Sequence, residues 1–153
     1  MRFSIVSLIV LSLGRPCVMA AQTMVRVPVD STGLSVAVWH LPPTHPSAHA
    51  PVLFVHGASF PTKLAAGFKF DGTSWMDHMA ARGFDVWGLD FLGYGRSDRY
   101  PAMRGPDTAH APVGRAAEAA RQIAAAVAYI TRRQHTPRVS LVAHSWGTIT
   151  AGL

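Results

Sequence analysis

The sequence has little cysteine, little charge and no long apolar run, and each shortage excludes a class of protein. Cys17 is the only cysteine among 153 residues, so the chain does not belong to the small secreted domains that disulfides hold together. It carries 14 basic and 8 acidic side chains, a net charge of +6. The cations are scattered and form no stripe with interleaved aromatics, which argues against a nucleic-acid partner. No internal repeat or low-complexity tract is present.

The most apolar run lies at the N-terminus and is too short to cross a bilayer. Residues 3–13 are mostly apolar, and Gly14-Arg15-Pro16 then interrupts them, whereas a membrane-spanning helix needs about 20 apolar residues. Arg2 before the run and the small Ala20 after it are typical of a cleavable secretory signal peptide. We therefore expect cleavage after Ala20, export to a secreted or periplasmic location, and no stable membrane anchor.

The remaining chain has the alternation of an α/β protein. Residues 25–27 and 34–38 alternate apolar with polar and predict an antiparallel hairpin at a sheet edge. Residues 51–55 are continuously apolar, which predicts a strand buried on both faces of a parallel sheet. Residues 84–90 and 138–143 predict two further parallel strands.

Helices are predicted between these strands. Ser74 and Asp77 have the spacing of a capping box that opens the first helix. Residues 115–133 form the second, long and rich in alanine. Its predicted buried face repeats every three or four residues and consists of Ala116, Ala120, Ile123, Val127 and Ile130.

The last predicted strand ends at a serine that could sit on a sharp strand-to-helix turn. Ser145 is flanked by His144 and Trp146, and such a turn needs small residues two positions before and after the serine. Gly147 meets this need, and Ala143 meets it with one extra methyl group. We expect Ser145 to lie at the carboxyl end of an inner strand, where open α/β sheets place their sites.

Two more motifs follow the two earlier buried strands. His56-Gly57-Ala58 comes after the first, and a glycine-rich turn from Asp90 to Ser97 comes after the second. A dinucleotide-binding interpretation of this turn fails, because no third glycine stands at the required spacing and no helix follows at once. We interpret Asp90 and Ser97 as structural.

In this order and spacing, the three motifs resemble the N-terminal half of the α/β-hydrolase family. The resemblance implies an edge antiparallel hairpin followed by a parallel βαβαβ unit, with residues 21–153 forming a partial domain that stops after the nucleophile elbow. It implies Ser145 as nucleophile and the N–H groups of Ala58 and Trp146 as the oxyanion hole. The supporting residues that it implies are His56, Gly57, Ala143, His144 and Gly147.

The same resemblance implies a small-molecule ester or amide substrate, with no metal or organic cofactor. The catalytic acid and histidine, which follow the serine in this family, are expected beyond Leu153. Two alternatives stay open: a non-catalytic fragment or degenerate paralogue, and an acyltransferase on the same fold.

Two local features have competing interpretations. Residues 60–70 look like an insertion that either walls the substrate pocket or forms a surface loop with a few anchoring aromatics. His40, His45 and His49 lie in a proline-rich connector without a nearby acidic or cysteine ligand, so we do not expect a metal site there.

Overall fold

A computed structural model describes residues 21–30, 33–45 and 47–153; the predicted signal peptide lies outside these residues. The elements run in the order β1 (Thr23–Val29), β2 (Leu34–Leu41), β3 (Val52–Val55), α1 (Trp75–Ala80), β4 (Val86–Asp90), α2 (Ala116–Gln134), β5 (Ser140–Ala143) and α3 (Trp146–Ala151). Short 3₁₀ turns occupy Thr62–Leu64, Pro101–Arg104 and Asp107–Ala109. Among the described residues, no helix is long and apolar enough to cross a membrane.

The described strands form one mixed sheet in the order β1-β2-β4-β3-β5. β1 and β2 make the predicted antiparallel hairpin, and β3 pairs in parallel with both β4 and β5. The predicted fold class is thereby confirmed. One detail differs: β5 is an edge strand within the described chain, because no described strand pairs with its outer side. Leu141 and Val142 are accordingly exposed.

The helices cover both faces of the sheet, which explains why β3 is apolar throughout. Leu53 and Val55 pack in the larger core cluster with Ile123 and other α2 residues. Val52 and Phe54 point to the opposite face and pack in the smaller cluster, to which α1 contributes Met76 and Ala80. Successive side chains of a strand alternate between faces, so a strand covered on both sides needs apolar residues at every position.

The first helix begins with the predicted capping box. The Ser74 Oγ accepts from the Asp77 N–H at 3.0 Å, and the Asp77 carboxylate accepts from the Ser74 N–H at 2.9 Å. Gly83 caps the end of this helix with a φ of +85°. Its N–H donates to the Ala80 carbonyl at 3.0 Å, and the N–H of the next residue donates to the Met79 carbonyl at 3.2 Å, the pattern of a glycine-capped helix end.

The buried face of α2 is shifted from the predicted one. Ile123 and Ile130 are buried as expected, but Ala116, Ala120 and Val127 are only half-buried. The centre of the face contains Gln122, whose Oε1 accepts from the Leu92 N–H at 2.8 Å. Its Nε2 donates to the Tyr100 hydroxyl at 2.9 Å. Hydrogen bonding makes this polar residue a core residue, which an apolar periodicity cannot predict.

Candidate active site

Ser145 lies at the junction between β5 and α3, in a strained backbone conformation. Its φ is 52° and its ψ is −123°, which falls outside the small left-handed region open to ordinary residues. Such a conformation costs of order 1–3 kcal/mol and persists only where its surroundings enforce it. The side chain is exposed at the carboxyl end of β5.

Close approach between this turn and the end of β3 enforces the conformation. The His144 N–H donates to the Val55 carbonyl at 3.1 Å, which continues the β3–β5 pairing into the turn. A methyl group on Gly147 would lie 2.6 Å from the Val55 oxygen and 2.7 Å from the His56 oxygen. These are backbone atoms that cannot move aside cheaply. Glycine is therefore required at 147 by packing.

Gly57 brings the neighbouring loop against the serine. A methyl group there would lie 3.0 Å from the Ser145 Cβ and 3.2 Å from the Nδ1 of the exposed His144. The structure thus places the two sequence motifs in contact. Ala143, at the position where the family pattern has glycine, is half-buried and pairs with Val55.

His56 is fully engaged in holding this loop. Its Nε2 accepts from the Phe91 N–H at 3.1 Å, and its Nδ1 lies 2.5 Å from the Gly57 carbonyl, to which it must donate. Both contacts are satisfied by a neutral ring with its proton on Nδ1. Burial lowers the pKa of His56 below its usual 6.5, against the opposing effects of the Gly57 carbonyl and the Asp90 carboxylate. The geometry therefore favours a bracing role.

An apolar cavity of about 420 Å³ opens beside Ser145. Gly57, Ala58 and His144 lie around it near the serine. Trp146 lines a second cavity of about 550 Å³, which shares Ala58 with the first. Within the described chain, the N–H groups of Ala58 and Trp146 donate no hydrogen bond. No described histidine is hydrogen-bonded to the Ser145 hydroxyl.

The glycine-rich turn after β4 is organised by the carboxylate of Asp90. This side chain is buried and accepts from the Trp39 Nε1, the Thr62 N–H and the Arg96 N–H. The Ser97 hydroxyl is also buried, where it accepts from the Ala37 N–H at 2.7 Å and donates to the Asp90 carbonyl. Neither residue lines the cavity beside Ser145.

Comparison with known proteins identifies the architecture. The model of the alpha/beta hydrolase family matches residues 52–153, which is more than half of the chain. The chain belongs to the alpha/beta hydrolase family. Comparison with curated protein sequences finds no match.

Several solved structures share this alpha/beta hydrolase fold at low sequence identity. The esterase Pf2001 of Pyrococcus furiosus is 16% identical, with a TM-score of 0.61 over 86% of this chain and 45% of that chain. Proline iminopeptidase of Mycobacterium smegmatis is 19% identical, with a TM-score of 0.60 over 84% and 37%. A loop variant of haloalkane dehalogenase DbeA from Bradyrhizobium elkanii is 20% identical, with a TM-score of 0.54 over 86% and 35%. This alpha/beta hydrolase chain spans less than half the length of each of these proteins. Their names indicate three different reactions.

Two contacts in this alpha/beta hydrolase site are absent from the sequence interpretation. The Tyr94 hydroxyl donates to the Ala58 carbonyl at 2.5 Å, and its ring lies 5.0 Å from that of His56. Thr62 ties residues 60–70 to β4. The sequence contains one indication of the Thr62 contact. Gly88 lies inside a buried strand, and glycine in a strand often marks a close approach of another segment.

His40 lies in β2 and not in the proline-rich connector, and it packs on a neighbouring element, as does His49 of the connector. His40 stacks on Trp87 at 3.8 Å between ring centroids and contacts Asp85, and His49 stacks on Phe84 at 4.2 Å. In the part of the chain that the structure describes, no cluster of three or more His, Cys, Asp or Glu side chains could hold a metal ion.

Proposed function

We propose that this chain carries the nucleophile of a serine hydrolase that acts on esters, with Ser145 attacking the substrate carbonyl carbon. The observation that carries the proposal is the strained, exposed backbone of Ser145 beside an apolar cavity. Strain of this kind clusters at functional sites, because it presents a side chain that ordinary turns would not expose. The alpha/beta hydrolase family supports the general reaction class.

The proposed reaction has two stages. The Ser145 Oγ forms a bond to the carbonyl carbon and gives its proton to a general base; the base then gives this proton to the alcohol, which leaves as the ester C–O bond breaks and an acyl-enzyme forms. Water attacks that intermediate, which releases the carboxylic acid and restores the serine hydroxyl. The unpaired amides of Ala58 and Trp146 would hold the negative oxygen of each tetrahedral intermediate. One such donor contributes roughly 3–4 kcal/mol in a comparable enzyme.

The general base lies outside the described contacts of Ser145. His56 cannot serve, since both of its ring nitrogens are engaged. We propose that a histidine and an acid following the elbow supply the base, in the order typical of this family. The molecule that accepts the acyl group in the second stage distinguishes the two reactions: water in a hydrolase, and another acceptor such as an alcohol in an acyltransferase.

The test of this function is covalent labelling of the protein expressed from its complete coding sequence. A fluorophosphonate probe should label one residue, and mass mapping should place the label on the peptide that contains Ser145. Ser59 lines the same cavity and serves as an internal comparison, because an unspecific probe would label both serines. Absence of any label would favour the non-catalytic alternative. Label on another residue would contradict the assignment of Ser145.

We also propose that the protein is exported. Cleavage after Ala20 should give a mature protein that begins Ala21-Gln22-Thr23, and N-terminal sequencing of material from the periplasm or medium measures this. Retention of Met1 in a membrane fraction would contradict the proposal.

A further inference from the structure

Residues 59–74 connect the Ala58 loop to α1 and are fixed at defined points. Within them, Phe70 and Thr73 exchange two backbone hydrogen bonds of 3.0 and 3.2 Å. Asp71 and Gly72 between them have φ values of 50° and 80°, and positive values at both central residues are typical of a type I′ β-turn. The segment is therefore shaped by its own hydrogen bonds as well as by its ends.

Thr62 is the principal anchor of this segment. Its N–H donates to the Asp90 Oδ1 at 2.8 Å, and its hydroxyl donates to the Leu89 carbonyl at 2.8 Å. Gly88 leaves room for it, because a methyl group there would lie 2.4 Å from the Thr62 Cγ2. A polar side chain, and not the aromatics that we considered from the sequence, thus holds the segment on the sheet.

Three large apolar side chains of this region are exposed beside the serine. Phe60, Leu64 and Trp75 are 59%, 57% and 69% exposed, and all three line the cavity that contains Ser145. We call these three residues the apolar wall. Phe54 from β3 backs it, with its ring centroid 6.4 Å from that of Trp75. Exposed apolar side chains gathered at a cavity are typical of a binding site.

The cavity beside the wall lacks the acidic and basic side chains that usually pair with a charged substrate. None of its described lining residues is Asp, Glu, Lys or Arg, and its ionisable side chains are His56 and His144. Both ring nitrogens of His56 are hydrogen-bonded to the protein backbone. A carboxylate or ammonium group placed against the wall would lose its hydration without a compensating partner, which is unfavourable.

We propose that the apolar wall binds the acyl chain of the substrate, so that the enzyme selects esters of uncharged, apolar acyl groups longer than acetyl. This inference rests on the proposed function for its chemistry and on the wall for its selectivity. The volume of about 420 Å³ is within the range of pockets that enclose small ligands. The acyl chain would cover the exposed faces of Phe60, Leu64 and Trp75.

The test compares Phe60→Ala with Phe68→Ala in the protein expressed from its complete coding sequence. Both residues lie in the same segment and are similarly exposed, at 59% and 54%, but Phe68 does not line the cavity. The substrates are p-nitrophenyl acetate, butyrate, hexanoate and octanoate. In the wild type, kcat/KM should rise about fourfold for each methylene until the wall is covered, the gain expected from removing one methylene from water. Phe60→Ala should flatten this rise, and Phe68→Ala should keep it.

A second measurement separates this inference from the proposed function. Binding of 2-decanone, an uncharged ketone that cannot be hydrolysed, is followed through tryptophan fluorescence in the same three proteins. Binding that weakens in Phe60→Ala alone, together with no ester turnover, would support the wall and overturn the proposed function. Turnover with no dependence on chain length, or equal effects of Phe60→Ala and Phe68→Ala, would overturn the wall and leave the function standing.

Discussion

Replacing Ser145 by alanine is expected to lower kcat for ester hydrolysis by roughly 10⁴- to 10⁶-fold in the protein expressed from its complete coding sequence. The substitution removes the only atom that forms the acyl-enzyme, while the amides of Ala58 and Trp146 stay in place. Whatever rate remains then comes from binding and oxyanion stabilisation. Steady-state and burst kinetics with p-nitrophenyl butyrate measure both the loss of turnover and the loss of the acyl-enzyme burst.

Ser59→Ala is the matched control for this substitution. Ser59 lies in the same cavity but in an unstrained part of the loop, and we expect its variant to keep turnover within a few-fold of the wild type. The folded state of Ser145→Ala should be unaffected, because the exposed hydroxyl makes no hydrogen bond with another described residue. Turnover of Ser145→Ala above a tenth of the wild-type rate would contradict a nucleophilic role.

The strand order along the chain could be predicted because burial on two faces leaves a clear pattern. β3 reads as an apolar run, since Val52 and Phe54 face one core and Leu53 and Val55 face the other. The capping box of α1 could also be predicted, because Ser74 and Asp77 satisfy each other within one turn. Both are local consequences of side-chain type and spacing.

Contacts between distant segments could not be predicted in the same way. Gln122 is buried because the Leu92 amide and the Tyr100 hydroxyl happen to face it, and neither is near it in sequence. Thr62 anchors its segment through Gly88 and Asp90. Gly88 within a strand indicates a close approach, but no residue adjacent to Thr62 in sequence identifies it as the residue that approaches. The candidate site divides similarly. The resemblance of the motifs to the α/β-hydrolase family implies Ser145 and Ala58, but the Tyr94 contact to Ala58 requires the fold.

Replacing Asp90 by asparagine is expected to lower the free energy of unfolding by about 3 kcal/mol, an effect on stability more than on chemistry. The carboxylate is buried and accepts three hydrogen bonds, from the Trp39 indole and from the amides of Thr62 and Arg96. An asparagine has one oxygen and one NH₂ group at these places. In either orientation its NH₂ faces at least one buried donor, which is then left without an acceptor. Urea unfolding of wild type and variant measures the difference.

Asp30→Asn is the appropriate control, since it makes the same chemical change on the surface. The Asp30 side chain is 48% exposed and pairs with Arg121 at 3.3 Å, an interaction that contributes about 1 kcal/mol or less. Its φ of 48° is also one that asparagine tolerates.

Because Thr62 is held by Asp90, Asp90→Asn should also loosen the apolar wall and reduce the preference for long acyl chains. An Asp90→Asn protein with wild-type stability and a much lower kcat would show that Asp90 takes part in catalysis, and the structural interpretation would be wrong.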